Sequence, residues 1–91
     1  MRLRISETVH GTEKVFQVAG ELVEEGVPEL ERVCRGWSGT MVLDLENLRS
    51  ADALGLKTLL ALEKEGAELR GLSHYLSLRL RSVETQTRGE T

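Results

Sequence analysis

The sequence predicts an α/β domain built on a mixed β-sheet of about four strands, with the helices packed mostly on one face. Three observations carry that reading. Residues 3–19 hold two runs of alternating apolar and polar residues joined by a Gly-containing turn, the period-2 signature of an antiparallel hairpin. Beyond residue 26, stripes at i, i+3, i+4 spacing take turns with short apolar runs, the rhythm of parallel strands joined by crossover helices. With 91 residues, the chain makes one domain that buries roughly 60–65% of its unfolded surface.

Each element follows from its own residues. Leu3 and Ile5 alternate with Arg4 and Ser6, and Val9 extends the pattern into a half-buried first strand. His10-Gly11-Thr12-Glu13 reads as the turn. The return strand, Val15-Phe16-Gln17-Val18-Ala19, is more apolar and richer in β-branched residues, which places it further inside the sheet. Gly20 is expected to end it, and residues 21–26 form an acidic connection. Pro28 suits the first turn of a helix, where its missing N–H has no partner to lose. Leu30, Val33 and Cys34 form one face of that helix, from about Val27 to Arg35, and Gly36 and Gly39 stop it. Trp37 lies in the following loop, where it covers a core edge or stands exposed as an anchor for a partner.

Met41-Val42-Leu43-Asp44-Leu45 is nearly all apolar, as in a central strand covered on both faces. Glu46 to Arg49 leads out of it to the best amphipathic helix, capped by Ser50 or Asp52. Leu56, Leu59 and Leu60 supply its buried stripe, Lys57, Glu63 and Lys64 face water, and Gly66 closes it. Glu68 to Leu72 makes a short strand parallel to the third. Ser73 caps a last helix with Leu76, Leu80 and Val83 on one face. The alternation of Leu76, Leu78 and Leu80 with Ser77, Arg79 and Arg81 also fits a strand, and the helix is preferred because Ser73 caps it and the βα rhythm is already running. Residues 1–84 form the domain, and the polar segment 85–91 is expected to be a disordered tail.

Composition narrows the function. Twelve basic residues spread among fifteen acidic ones, net −3, make nucleic acid an unsuitable partner, since phosphate backbones select concentrated Lys and Arg. Three aromatics, Phe16, Trp37 and Tyr75, build no base-stacking platform. No apolar run approaches the ~18–20 residues of a membrane span, and a single Cys34 makes no internal disulfide. These features predict a cytoplasmic, reduced protein without membrane insertion.

Chemistry-bearing residues are sparse. His10 and His74 lie far apart in sequence and in no metal-ligand spacing, Cys34 sits on an apolar stripe, and Glu21, Glu24 and Glu25 read as a solvated loop. No Gly-rich run ends in Lys-Ser or Lys-Thr. Neither an enzyme nor a cofactor is expected. What remains is the helix start from Ser50 to Gly55, which either only caps and turns or presents Ala53-Leu54-Gly55 as a docking face. Leu54 favours docking because it lies off the buried stripe.

Gly20-Glu21-Leu22 ending the second strand, Val42-Leu43-Asp44-Leu45 as the third, Asp52-Ala53-Leu54-Gly55-Leu56 opening the second helix, and Gly66 to Ser73 together resemble the STAS domain of bacterial anti-sigma-factor antagonists. The resemblance covers roughly residues 3 to 83. It implies a STAS-like fold and a non-catalytic role in transcription regulation by signal transduction. In signalling members a Ser or Thr follows the aspartate, is phosphorylated by a kinase that is also the anti-sigma factor, and controls docking by the added charge. Here that position is Ala53, which has no hydroxyl. Val23 replaces the aspartate usual after Gly-Glu-Leu, and the final strand and helix of many members are missing or cut short. Ser50 and Thr58 are nearby hydroxyls off the family position.

Three functions follow as expectations. The first is a protein-binding module that docks a kinase/anti-sigma factor or phosphatase-type regulator through Ser50, Asp52, Ala53, Leu54 and Gly55. The second is a STAS subunit docking on the ATPase of an ABC transporter, and the third a small-ligand or anion sensor using free N–H groups near Ala53 to Gly55. A homodimer formed through an exposed sheet edge or Trp37 is a further expectation.

Overall fold

A computed structural model describes the backbone of residues 2–89 and the side chains of residues 2–85. The described residues form β1 (Leu3–His10), β2 (Glu13–Leu22), α1 (Val27–Arg35), β3 (Thr40–Asp44), β4 (Leu48–Ala51), α2 (Ala53–Lys64), β5 (Glu68–Arg70) and α3 (His74–Gly89). The sheet order is β1-β2-β3-β5, with β4 also on β2. β1 is antiparallel to β2, whereas β3 and β4 run parallel to β2, and β5 runs parallel to β3.

The sheet has one strand more than the sequence pattern shows. β2 does not end at Gly20. It continues to Leu22, pairing first with β3 over Glu13–Gln17 and then with β4 over Gly20–Leu22. Gln17 faces Asp44 while Leu22 faces Ala51, so the β3–β4 side carries two extra residues, and the ladder shifts at Gly20/Glu21. Such a bulge needs a backbone that bends sharply. The inserted residue at the shift is Arg49 of β4, between Leu48 opposite Gly20 and Ser50 opposite Glu21; Gly20 itself has φ 97°, and a Cβ there would meet the Arg2 carbonyl oxygen at 2.0 Å. β4 therefore occupies Leu48–Ala51, where a polar link and a helix cap are expected from sequence. Leu48 and Ala51 are its buried residues.

The core lies between the sheet and the helices. Phe16, Val18 and Leu43 come from the strands and Leu45 from the residue just after β3; Leu30 and Cys34 from α1; Leu56, Leu59 and Leu62 from α2; and Leu76 and Leu80 from α3. α2 contacts both α1 and α3, which explains why its buried surface is wider than the expected stripe and includes Thr58 and Leu62. α1 and the helical form of the last segment match expectation in position and buried face, with Val33 half-buried against the core. Ser73 caps α3, its hydroxyl accepting from the Leu76 N–H at 3.2 Å. The segment expected as a tail continues α3 to Gly89, and residues 90 and 91 lie outside the described residues.

Trp37 resolves to the core-covering alternative. It is half-buried and packs against the core, its Nε1–H donates to the Thr40 carbonyl at 2.9 Å, and the Lys14 ammonium stands 4.8 Å from its ring. Among the described residues no helix is long and apolar enough to cross a membrane.

Cys34 is buried in the core, and burial pushes its thiol up to about 11 from an ordinary 9.0. The folded state thus favours the protonated thiol. As pH rises from 9.0 toward about 11, the unfolded thiol ionises first and folding stability falls. Chemical denaturation across that range should show this loss, with Cys34→Ala flattening it, and the native thiol should react with thiol reagents only on unfolding.

Candidate functional site

The start of α2 is assembled from three parts of the chain. β4 delivers Asp52 as the N-cap in an extended conformation (φ −84°, ψ 179°). One carboxylate oxygen, Oδ1, accepts from the Gly55 N–H at 2.8 Å, the bond that an N-cap side chain normally makes. The other, Oδ2, accepts from the Glu24 N–H at 2.9 Å. A single side chain thereby caps the helix and holds the loop that follows β2. The Asp52 N–H also donates to the Leu22 carbonyl at 3.1 Å, closing the ring of contacts.

Gly55 permits this closeness. A Cβ at Gly55 would stand 2.3 Å from the Leu22 carbonyl oxygen, so the first turn of α2 lies directly against the end of β2 only because residue 55 has no side chain. From the other side, the Arg79 guanidinium of α3 donates to the Ala51 carbonyl at 2.6 Å. The Thr58 hydroxyl donates to the Leu54 carbonyl at 2.9 Å. This helix start is pinned on every side that faces the protein.

Within that frame the predicted residues have different positions. Ala53 and Leu54 are exposed, Leu54 at 44%. Asp52 and Ser50 are half-buried, and Gly55 is buried. Ser50 lies in β4 opposite Glu21, so Asp52 is the cap. Thr58 is buried, with its hydroxyl turned into the helix. The N–H groups expected to be free are not all free. Gly55 N–H is bound by Asp52, whose carboxylate is itself the negative charge that a helix N-terminus attracts.

The remaining candidates do not converge here. His10 ends β1 and His74 opens α3, both exposed. Glu21 belongs to β2 and pairs with Arg2 at 3.2 Å, while Glu24 contributes its backbone and Glu25 faces solvent. Among the described residues, no three of His, Cys, Asp and Glu are placed to hold a metal ion. A concavity of about 820 Å³ lies elsewhere, between Arg2, Arg4, Gly20, Glu46 and Arg49. Sequence reasoning missed Arg79 and the Glu24 amide. Arg79 falls on the predicted last helix, but its reach to Ala51 depends on how α3 packs against α2.

The fold has a known counterpart. The crystal structure of an anti-sigma-factor antagonist STAS domain from Rhodobacter sphaeroides matches with a TM-score of 0.54 and 21% sequence identity, over 79% of this chain and 92% of that one. No family model and no curated protein matches the sequence. The structure has the STAS-domain fold, with a five-stranded mixed sheet.

Two substitutions separate the tethers. Asp52→Asn keeps an oxygen for Gly55 but turns an amide donor toward the Glu24 N–H, costing about 1–2 kcal/mol, and hydrogen exchange should speed up at Glu24 first. Gly55→Ala should cost about 1–3 kcal/mol by forced displacement of β2 from α2, readable as roughly 4–8 °C of Tm per kcal/mol.

Proposed function

We propose that this protein is a non-catalytic regulatory module of the anti-sigma-factor-antagonist type. It acts in the cytoplasm and docks a kinase/anti-sigma factor or phosphatase-type regulator through Ser50, Asp52, Ala53, Leu54 and Gly55. The observation that supports this best is the exposed Ala53-Leu54 pair on a helix start that is otherwise tied down by Asp52, Leu22 and Arg79. A rigid apolar knob lowers the ordering cost of association. Ala53 and Leu54 form the contact; Asp52 and Gly55 set its position, and Ser50 supports it from β4.

Ala53 carries no hydroxyl, so docking runs without a phosphoserine switch at this place. Control falls to abundance of the protein or to its partner. The chemistry at the helix start favours a protein over a small anion, because the Asp52 carboxylate already fills the position that an anion would take.

Leu54→Glu should weaken partner binding about tenfold or more while leaving the fold intact, since a central apolar contact is exchanged for a buried charge. Affinity capture from the source organism with wild type and Leu54→Glu side by side, followed by mass spectrometry, checks it. A kinase-like or phosphatase-like regulator kept only by the wild type supports the proposal. A transporter ATPase kept in the same way would replace it with the ABC-transporter subunit, and equal capture by both chains would remove the α2 start as the docking face. If the captured partner is a kinase, Ala53→Ser should gain phosphate on incubation with it and ATP, with binding falling as phosphate is added.

A further inference from the structure

β1 is a long strand with one bare edge. Among the described residues it spans Leu3–His10 and pairs only with β2, while the opposite edge strand, β5, is three residues long. The ladder fixes which backbone groups face outward. Glu21 N–H donates to the Arg2 carbonyl at 3.1 Å, and the two-residue turn closes on His10 and Glu13. Bonded pairs in an antiparallel ladder alternate, so the even residues Arg2 to His10 bond β2. Leu3, Ile5, Glu7 and Val9 therefore turn their N–H and C=O groups to the open edge.

We propose that two copies of this chain join edge to edge through β1, antiparallel about a two-fold axis at Ser6. Matching the faces of the two sheets restricts the registers to those centred on a residue. Centred at Glu7, the two Glu7 carboxylates oppose each other; centred at Arg4, the two guanidinium groups do; like charges directly opposite are destabilising. Centred at Ile5, the Leu3 and Glu7 groups pair but Val9 is left without a strand partner. The Ser6 register sets Leu3 against the partner's Val9 and Ile5 against the partner's Glu7, using every outward group of the four residues. It sets Arg4 against the partner's Thr8, so no like charges face each other.

Side chains support the same register. Val9 is exposed at 54%, and shares a face with Leu3 and Ile5. In the pair it lies on the partner's Leu3, apolar against apolar. Glu7, the charge on that face, is already held by Lys14 of its own chain at 2.9 Å. The β1 edge includes no residue of the α2 start, so this dimer and the docking proposal stand or fall separately.

Cysteine substitution reads the register directly. The two Ser6 residues form a non-bonded antiparallel pair with Cα atoms about 4.5 Å apart, within disulfide range. Under mild oxidation Ser6→Cys should form a disulfide dimer at least tenfold faster than Arg4→Cys, Ile5→Cys, Glu7→Cys or Thr8→Cys, with the wild-type chain and its buried Cys34 as the blank. Sedimentation equilibrium of the wild type should show mass rising with concentration from 10.1 kDa toward twice that value. Glu7→Pro removes an outward N–H and leaves the bonds to β2 intact, so it should stay folded by circular dichroism and monomeric; Val9→Pro serves the same purpose where Glu7→Pro unfolds. A wild type that stays monomeric across the series would overturn the proposal. Cross-linking fastest at any position other than 6 would do so as well.

Discussion

The contact between the first turn of α2 and the end of β2 is the constraint on which the rest of the structure depends. Helix starts expose N–H groups that need an acceptor, and strand ends expose carbonyls that need a donor. Asp52 answers both needs: its carboxylate takes the Gly55 and Glu24 N–H groups, and its own N–H goes to Leu22. Gly55 lets the two elements meet at van der Waals distance. The result is a helix start that cannot shift without breaking its bonds to the end of β2, with Ala53 and Leu54 on its outer side.

β2 is the spine on which that contact is built. It pairs with β1, β3 and β4, serving two parallel neighbours in succession across the register shift at Gly20/Glu21. Its last residues pair with β4, and the Leu22 carbonyl accepts from the Asp52 N–H that opens α2. α2 in turn contacts both α1 and α3, which buries Leu56, Thr58, Leu59, Leu60 and Leu62, while Ala53 and Leu54 at its start and Lys57, Ala61 and Lys64 further along stay exposed.

Much of this was legible in the residues. The hairpin turn, α1 with its Leu30 and Cys34 face, the apolar β3 and the Ser73-capped start of the last helix follow from local rules, and the structure places them as read, although β2 runs past Gly20 and α3 past residue 84. The exposure of Leu54 was legible for the same reason, since a residue off a 3.6-period stripe points away from the core. β4 was not legible: Leu48-Arg49-Ser50-Ala51 is short and half polar, and becomes a strand only because β2 runs on past Gly20 to pair with it. A glycine inside a strand pattern can end it or bulge it, and a single sequence does not say which.

The sequence by itself determined what periodicity and side-chain chemistry can encode: the α/β class, the buried faces, the cap candidates, the absence of a hydroxyl at Ala53, and a net charge of −3 with its basic residues spread along the chain. Only the tertiary structure decided which of Ser50 and Asp52 caps α2, that the Asp52 carboxylate has a second partner in the Glu24 amide, that Thr58 is buried, and that Trp37 covers the core. Those outcomes depend on groups brought together from distant parts of the chain. Hydrogen bonds act over about 3 Å, and no local rule carries that distance between residue 24 and residue 52.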